Sequence, residues 1–416
     1  MNKVFTEKDY ITEQERYKGF CNAHLILDMS RGKPEKAQLD LSDDLLKNLA
    51  VTGTNGSQDY RNYGILDGIP EAKKLFADLA GVDTKEIMVL GNASLSIMYE
   101  FLQRSLQFGV LDAKPLNSQG KLKWLCPAPG YDRHFAITEL FNIEMITIPM
   151  TETGPDMDMI ERLVESDESI KGIWCVPKYS NPQGVVYSDD TVERFAKLKP
   201  KAKDFRIYWD NAYMVHFVTE DVPLKNILTE AKKYNNENIV YMFGSTSKIT
   251  FAGSGVSFVI ASEENLSSQK KFMAMQTIGY DKLNQLAHCK FLKNPENILE
   301  HMKKHAAIMK PKFLAVEKIL KEELSSIASW YNPKGGYFIS CDLEKGTAKR
   351  TVALAKEAGV IFTGAGATYP YKIDPNDSNV RIAPSFPPIS ELEVAMRVLC
   401  CCAKLAYMEK QLSINN

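Results

Sequence analysis

Three short stretches carry residues whose types and spacing could do chemistry together. Gly91-Asn92-Ala93-Ser94 follows the apolar run Ile87-Met88-Val89-Leu90 and precedes the helical pattern SLSIMYEFLQRSL. A small-residue turn between a strand and a helix presents free N–H groups at the positive end of the helix dipole, which suits phosphate. The same turn is also an ordinary strand-to-helix cap. Asp210 ends the β-rich run FRIYW, with Tyr213 three residues on. A carboxylate at the end of a buried strand costs several kcal/mol unless it is paired, so Asp210 either caps a helix or faces a cationic ligand. Lys248 stands between VYMFGSTS and the Gly-containing ITFAGSGVSF. A lysine there is partly desolvated, which lowers its pKa and makes it nucleophilic toward carbonyls; most other lysines of the chain read as surface residues.

Tyr131 in PAPGY and Asn181 in SNPQG fall between the anion turn and Asp210, and Arg381 in NVRIAPSF comes last. One ligand asks for all of these. Pyridoxal phosphate has a phosphate, an aromatic face, a phenolic oxygen, a ring nitrogen to be kept protonated and an aldehyde for a lysine. Arg381 is then left for a substrate carboxylate.

The elements that must hold these residues are short β-rich runs alternating with helical patterns: EIMVLGNAS, KLKWLCPAPGY, IKGIWCVPKYSNPQG, FRIYWDNAY, NIVYMFGSTSK and GVSFVIAS. Such alternation implies βαβ units and a largely parallel α/β sheet, whose ligands bind outside the carboxyl ends of the strands. The organisation expected is an N-terminal arm and part of a smaller domain over 1–55, a large cofactor domain over 56–295, and a C-terminal α+β domain over 296–416. The 416 residues fit two to three domains. With 51 basic and 52 acidic side chains the net charge is −1, without the basic excess of a nucleic-acid binder. No stretch approaches the roughly 18 apolar residues of a membrane span, and the polar N-terminus does not read as a secretory signal, so a cytoplasmic location is expected. The eight cysteines form no C-x-x-C pair; Cys400, Cys401 and Cys402 point about 100° apart on a helix and read as reduced core residues. His301 and His305 lie four apart on a Lys-rich helix pattern that reads as exposed. No metal site is expected.

DYRNYGILDGIPEAK, PAPGYDRHF, PKYSNPQG, DNAY, GSTSK and KGGYF together resemble the fold-type-I pyridoxal-phosphate aminotransferases of class I/II. Within them the chain looks most like the class Ic aspartate aminotransferases, grouped with the MocR-like aminotransferase domain, from SRGKP at residue 30 to VRIAPSF at 380–386. The resemblance implies a large domain with a mostly parallel seven-stranded sheet flanked by helices, and a smaller α+β domain. It implies that Lys248 forms the internal aldimine and shuttles the proton at substrate Cα, that Asp210 keeps the pyridine nitrogen protonated, and that Asn181 and Tyr213 hydrogen-bond the phenolic oxygen. Tyr131 falls where the family stacks an aromatic ring on the cofactor, and His134 matches a histidine that supports the aspartate. Asn92, Ala93, Ser94 and Ser245 would cradle the phosphate, Gly32 would close over the substrate, and Arg381 would clamp its carboxylate. Tyr63 matches a tyrosine that reaches the neighbouring subunit's phosphate, which implies a homodimer with shared sites.

One departure stands out: many members carry an arginine eight residues after the lysine, where this chain has Val256. Either serines and the helix dipole suffice, or a cation such as Arg61 substitutes from a partner subunit. Arg31, Arg133 and Lys282 are candidates for a side-chain carboxylate. The reaction implied is ping-pong transamination between an L-amino acid, preferably L-aspartate, and 2-oxoglutarate. Aromatic or branched-chain transamination and a pyridoxal-phosphate lyase are the alternatives on the same scaffold. A non-enzymatic regulator would need a DNA-binding module, for which the residues before SRGKP carry no pattern.

Overall fold

The computed structural model describes residues 5–48, 54–55 and 58–415. Its strands are β1 (Leu27–Asp28), the hairpin β2 (Thr54–Asn55) and β3 (Gln58–Asp59), β4 (Ile87–Val89), β5 (Lys123–Ala128), β6 (Glu144–Thr151), β7 (Gly154–Pro155), β8 (Ile170–Cys175), β9 (Arg206–Asp210), β10 (Val240–Ser245), β11 (Ser257–Ile260), β12 (Ala328–Trp330), β13 (Ile339–Leu343), β14 (Val360–Ile361) and β15 (Asn379–Ile382). The large sheet runs in the order β4-β11-β10-β9-β8-β5-β6-β7. Neighbours from β10 to β6 are parallel, and β11 is antiparallel to both β10 and β4. Seven of these strands answer the expected sheet. The eighth, β7, arises because Gly154, at φ 132°, lets the chain turn back antiparallel along the end of β6.

Parallel strands covered by helices on both faces should be apolar throughout, and β8 and β9 are buried at every residue. Their side chains alternate between two cores. Leu125, Ile173, Cys175, Ile207 and Trp209 enter one with Phe76, Phe195 and Phe258; Trp124, Cys126, Trp174 and Tyr208 enter the other with Phe101 and Phe243. Gly172 makes room on the second face, since a Cβ there would lie 2.3 Å from the Trp124 ring.

A third core gathers both ends of the sequence. It holds Met29, Tyr213, Phe313, Phe338, Ile382 and the run Cys400, Cys401 and Cys402 from the helix Ile389–Asn415. In it β1 pairs in parallel with β14, and β12, β13 and β15 form an antiparallel sheet. The helix Pro295–Leu324 joins the cores, giving Ile298 and Met302 to the first and Met309 to Leu324 to the third. All eight cysteines are free, with Cys21 and Cys289 half-buried and the other six buried.

The expectation for His301 and His305 is corrected here. Both are buried, and their Nε2 atoms lie 3.2 Å apart. The helix that carries them is sandwiched between cores, so its inward stripe takes histidines, and even Lys312, which bonds Glu35 and the Ser385 carbonyl. Among the described residues no cluster of three or more His, Cys, Asp or Glu could hold a metal. No helix among them is long and apolar enough to cross a membrane.

Candidate active site

The chain leaves β5 for β6 on one side, then returns to build β8, β9 and β10 on the other, so the strand order reverses between β5 and β8. Ligands of open α/β sheets bind at such a point, outside the carboxyl ends. There the structure gathers Ser94, Tyr131, Asn181, Asp210, Tyr213 and Lys248 around a cavity lined also by Gly32, Leu95, Met98, Val176, Ala212 and Phe338.

Asp210 is the last residue of β9 and is 3% exposed. It caps no helix. Its Oδ2 lies 3.1 Å from His134 Nε2, while its Oδ1 has no hydrogen-bond partner among the described residues. His134 is itself fixed by stacking on Trp174, with centroids 4.5 Å apart. The Trp174 indole donates to Thr138 Oγ1, which donates to the His134 carbonyl.

Lys248 follows the end of β10, and its Nζ lies 4.9 Å from the centre of the Tyr213 ring. Burial lowers its pKa, and the nearby Asp210 charge opposes that shift. Burial pushes the Tyr213 phenol well up and raises Tyr131 to about 12, helped by Asp210 and Asp132. Two buried histidines, His301 and His288, bond the turn that holds Lys248. His301 Nε2 lies 2.8 Å from the Ile249 carbonyl, His305 bridges His301 to Gln38, and His288 Nε2 meets Thr250 Oγ1 at 2.9 Å. His216 lies edge-on to Tyr213, and neither of its ring nitrogens makes a hydrogen bond among the described residues.

Ala93 and Ser94 begin the helix Ser94–Phe108, whose N-terminus opens on the cavity. Asn92 is exposed, and its carbonyl accepts a bond from Ser247 Oγ, which in turn takes one from Ser245 Oγ at 3.1 Å. Ser247 was not singled out in the sequence, although GSTSK contains it. Val256 is buried and exchanges bonds with Thr246 in place of any cation.

Arg381, on β15, is 6% exposed and lies 4.9 Å over the Phe338 ring. It donates to Asp132 Oδ1 at 2.8 Å, Asn181 Oδ1 at 3.3 Å and Thr363 Oγ1 at 3.3–3.4 Å. Asp132 and Phe338 lie inside PAPGYDRHF and KGGYF, but they, like Thr363, matter through a partner distant in the chain. Gly32 abuts Phe338 so closely that a Cβ would sit 2.5 Å from the ring.

Tyr63 is not among the residues brought to this cavity. It is 83% exposed and lines a separate hollow with Arg61, Tyr280 and Lys282. Arg61 there is exposed and paired with Asp59. Arg133 lines a third hollow that shares Leu95 with the Lys248 cavity, and Arg31 is exposed beside Gly32.

Comparison with known proteins places the chain in a family. The family described as Aspartate amino-transferase matches residues 5–415. An aspartate aminotransferase of Corynebacterium glutamicum is 45% identical over 395 residues, covering 93% of this chain and 90% of that protein. The crystal structure of an aspartate transaminase from the same species superposes with a TM-score of 0.94 at 43% identity, covering 96% of each chain. LysN, the α-aminoadipate aminotransferase of Thermus thermophilus solved with N-(5'-phosphopyridoxyl)-L-leucine, gives 0.76 at 20% identity over 95% of this chain and 97% of that one. The chain therefore belongs to the aspartate aminotransferase family, within the fold-type-I pyridoxal-phosphate aminotransferases.

Proposed function

We propose that this aminotransferase moves the amino group of L-aspartate to 2-oxoglutarate by a ping-pong route, as a cytoplasmic homodimer of the class Ic branch. The observation that carries the reading is the pairing of a desolvated Lys248 with a buried Asp210 whose Oδ1 is unpartnered and whose other oxygen is held by His134. A buried carboxylate oxygen left without a donor costs stability unless a ligand N–H completes it, and the ring nitrogen of pyridoxal phosphate is such a donor. The serine-lined turn at the start of the helix Ser94–Phe108 fits its phosphate in the same way. The cavity's residues therefore fit the cofactor.

Pyridoxal phosphate supplies an aldehyde for amines and a cationic ring that takes up the electrons released when substrate Cα loses its proton. Asp210 holds that ring's N–H, and His134 keeps the carboxylate aimed. Tyr131 would stack on the ring, and Asn181 and Tyr213 would hydrogen-bond its phenolic oxygen. Asn92, Ala93, Ser94 and Ser245 hold the phosphate, joined by Ser247, with Tyr63 reaching across from the partner subunit. Serines and the helix dipole thus do the work of the arginine replaced by Val256. Lys248 would take up and hold the proton released at substrate Cα, for which its depressed pKa suits it. Arg381 receives the substrate's α-carboxylate on its guanidinium fork, with Gly32 closing above it. Of the three cations considered for the second carboxylate, Arg133 is favoured by the Leu95 wall its hollow shares with the cavity. The division at 55/56 and 295/296 is part of the same reading; residue 56 lies outside the described residues, and the helix Pro295–Leu324 bridges the second boundary.

The test is a panel of L-amino acids added singly to the cofactor-loaded protein, following loss of the bound cofactor's visible absorption and its return with 2-oxoglutarate. L-Aspartate should react fastest, and Lys248→Ala should lack both absorption and turnover. A faster reaction with an aromatic or branched-chain amino acid, or release of ammonia in place of transfer, would overturn the substrate assignment.

A further inference from the structure

Asp132 occupies part of the donor set that a carboxylate substrate needs. A guanidinium has five N–H groups. Thr363 Oγ1 takes one from Nε and one from Nη2 of Arg381, Asp132 Oδ1 takes one from Nη1, and Asn181 Oδ1 takes the other. Among the described residues this leaves one N–H, on Nη2. A bidentate carboxylate requires two parallel N–H groups. The edge shared by Nε and Nη2 faces Thr363, so the second must come from Nη1, and one of its two acceptors has to leave.

The two acceptors are not equal. Asn181 is 5% exposed, follows the buried strand β8 and has little room to withdraw. Asp132 is the first residue of the helix Asp132–Leu140, and its side chain is 35% exposed, against 6% for Arg381. A carboxylate at that edge can turn into water and recover its hydration, while the free N–H groups of the helix's first turn favour its charge in either position.

We propose that Asp132 is an internal carboxylate that plugs the Arg381 clamp and is displaced by the substrate's own carboxylate. It is a specificity-determining residue: without a ligand it neutralises a buried guanidinium, and it sets the threshold that an incoming anion must exceed. Neutral molecules and weak anions do not displace it; a carboxylate that also engages the rest of the cavity does. The inference rests on the reading of Arg381 as the carboxylate clamp.

The experiment measures binding of succinate and of propionate, both unreactive, to the pyridoxal-phosphate-loaded protein by calorimetric titration. Asp132→Asn removes the competing charge and keeps the side chain's size, and should tighten succinate about five-fold, equivalent to about 1 kcal/mol for a partly exposed ion pair. Propionate should tighten by a similar factor, and Asp132→Ala by at least as much, while Asp132→Glu should return affinity toward the wild-type value. A gain in affinity is not what damage to the fold would give. Arg381→Lys, measured in parallel, should weaken both ligands at least ten-fold. Unchanged or weaker binding by Asp132→Asn, with Arg381→Lys weakened as expected, overturns the plug and leaves the clamp standing. Full succinate affinity in Arg381→Lys overturns the clamp, and the plug with it.

Discussion

The four histidines around the Lys248 turn make a measurable demand on pH. Burial lowers the pKa of each: His288 to about 4, His305 to about 3 with the His301 imidazole adding to the effect, and His216 well below its usual value, reinforced by Lys248. His301 is lowered too. The charged groups facing them are mostly cationic, Lys248 and Lys178 near His216 and Lys304 near His301; Asp281 near His288 is the acidic exception. Folded-state values below the unfolded value of about 6.5 mean that the unfolded chain binds more protons. Their full contribution is therefore present above pH 6.5 and is lost as the pH falls from there toward the folded values. Between pH 7.5 and 5.5 one such histidine loses about 1.4 kcal/mol, and His288 and His305 together about 3 kcal/mol, with His216 shifted the same way. His301 acts in the same direction. Urea unfolding at fixed protein concentration reads this directly, because Trp124, Trp174 and Trp209 are buried reporters of the large cores. His288→Gln should remove one proton's worth of the slope. A total loss below about 1.4 kcal/mol across that interval would refute the picture of His288 and His305 held neutral in the fold.

Two more outcomes follow from packing. Gly32→Ala should force Phe338 from its place beside Arg381, costing about 1–3 kcal/mol as overpacking does and raising KM for amino acids; unchanged KM and unfolding midpoint would contradict the close contact. In the native protein a thiol reagent should react quickly with at most Cys21 and Cys289, since the other six cysteines are buried, and mass spectrometry showing early labelling of Cys400, Cys401 or Cys402 would contradict the third core.

Much of the site was legible because each strand end is a contiguous string. GNAS, DNAY and GSTSK carry turn, acid and lysine within a few residues of the strand that aims them, so local chemistry and local structure coincide. Asp132 and Thr363 are illegible for the opposite reason: nothing near either residue announces an arginine far along the chain. The histidines were misjudged through composition. Lys303, Lys304 and Lys310 colour the helix as a surface one, but Ile298, His301, Met302, His305, Ala306 and Met309 recur at the three- and four-residue spacing of a buried stripe. Spacing was the better guide there than lysine content. The eighth strand escaped because two residues bent back by one glycine have no periodicity to read.

The pairing of Leu27 with Val360 bears on how the chain comes into being. Synthesis runs from the N-terminus, and units fold as their residues appear. All the strands of the large sheet are present once Ile260 has emerged, and the histidines that hold the Lys248 turn once His305 has, so Asp210 and Lys248 can be set in place while β1 still lacks its neighbour. Phe338, Thr363 and Arg381 arrive much later. A nascent chain thus acquires the half proposed to hold the cofactor before the half proposed to hold an amino acid, and during that interval the early N-terminal segment is an unpaired strand awaiting the last part of its own sequence.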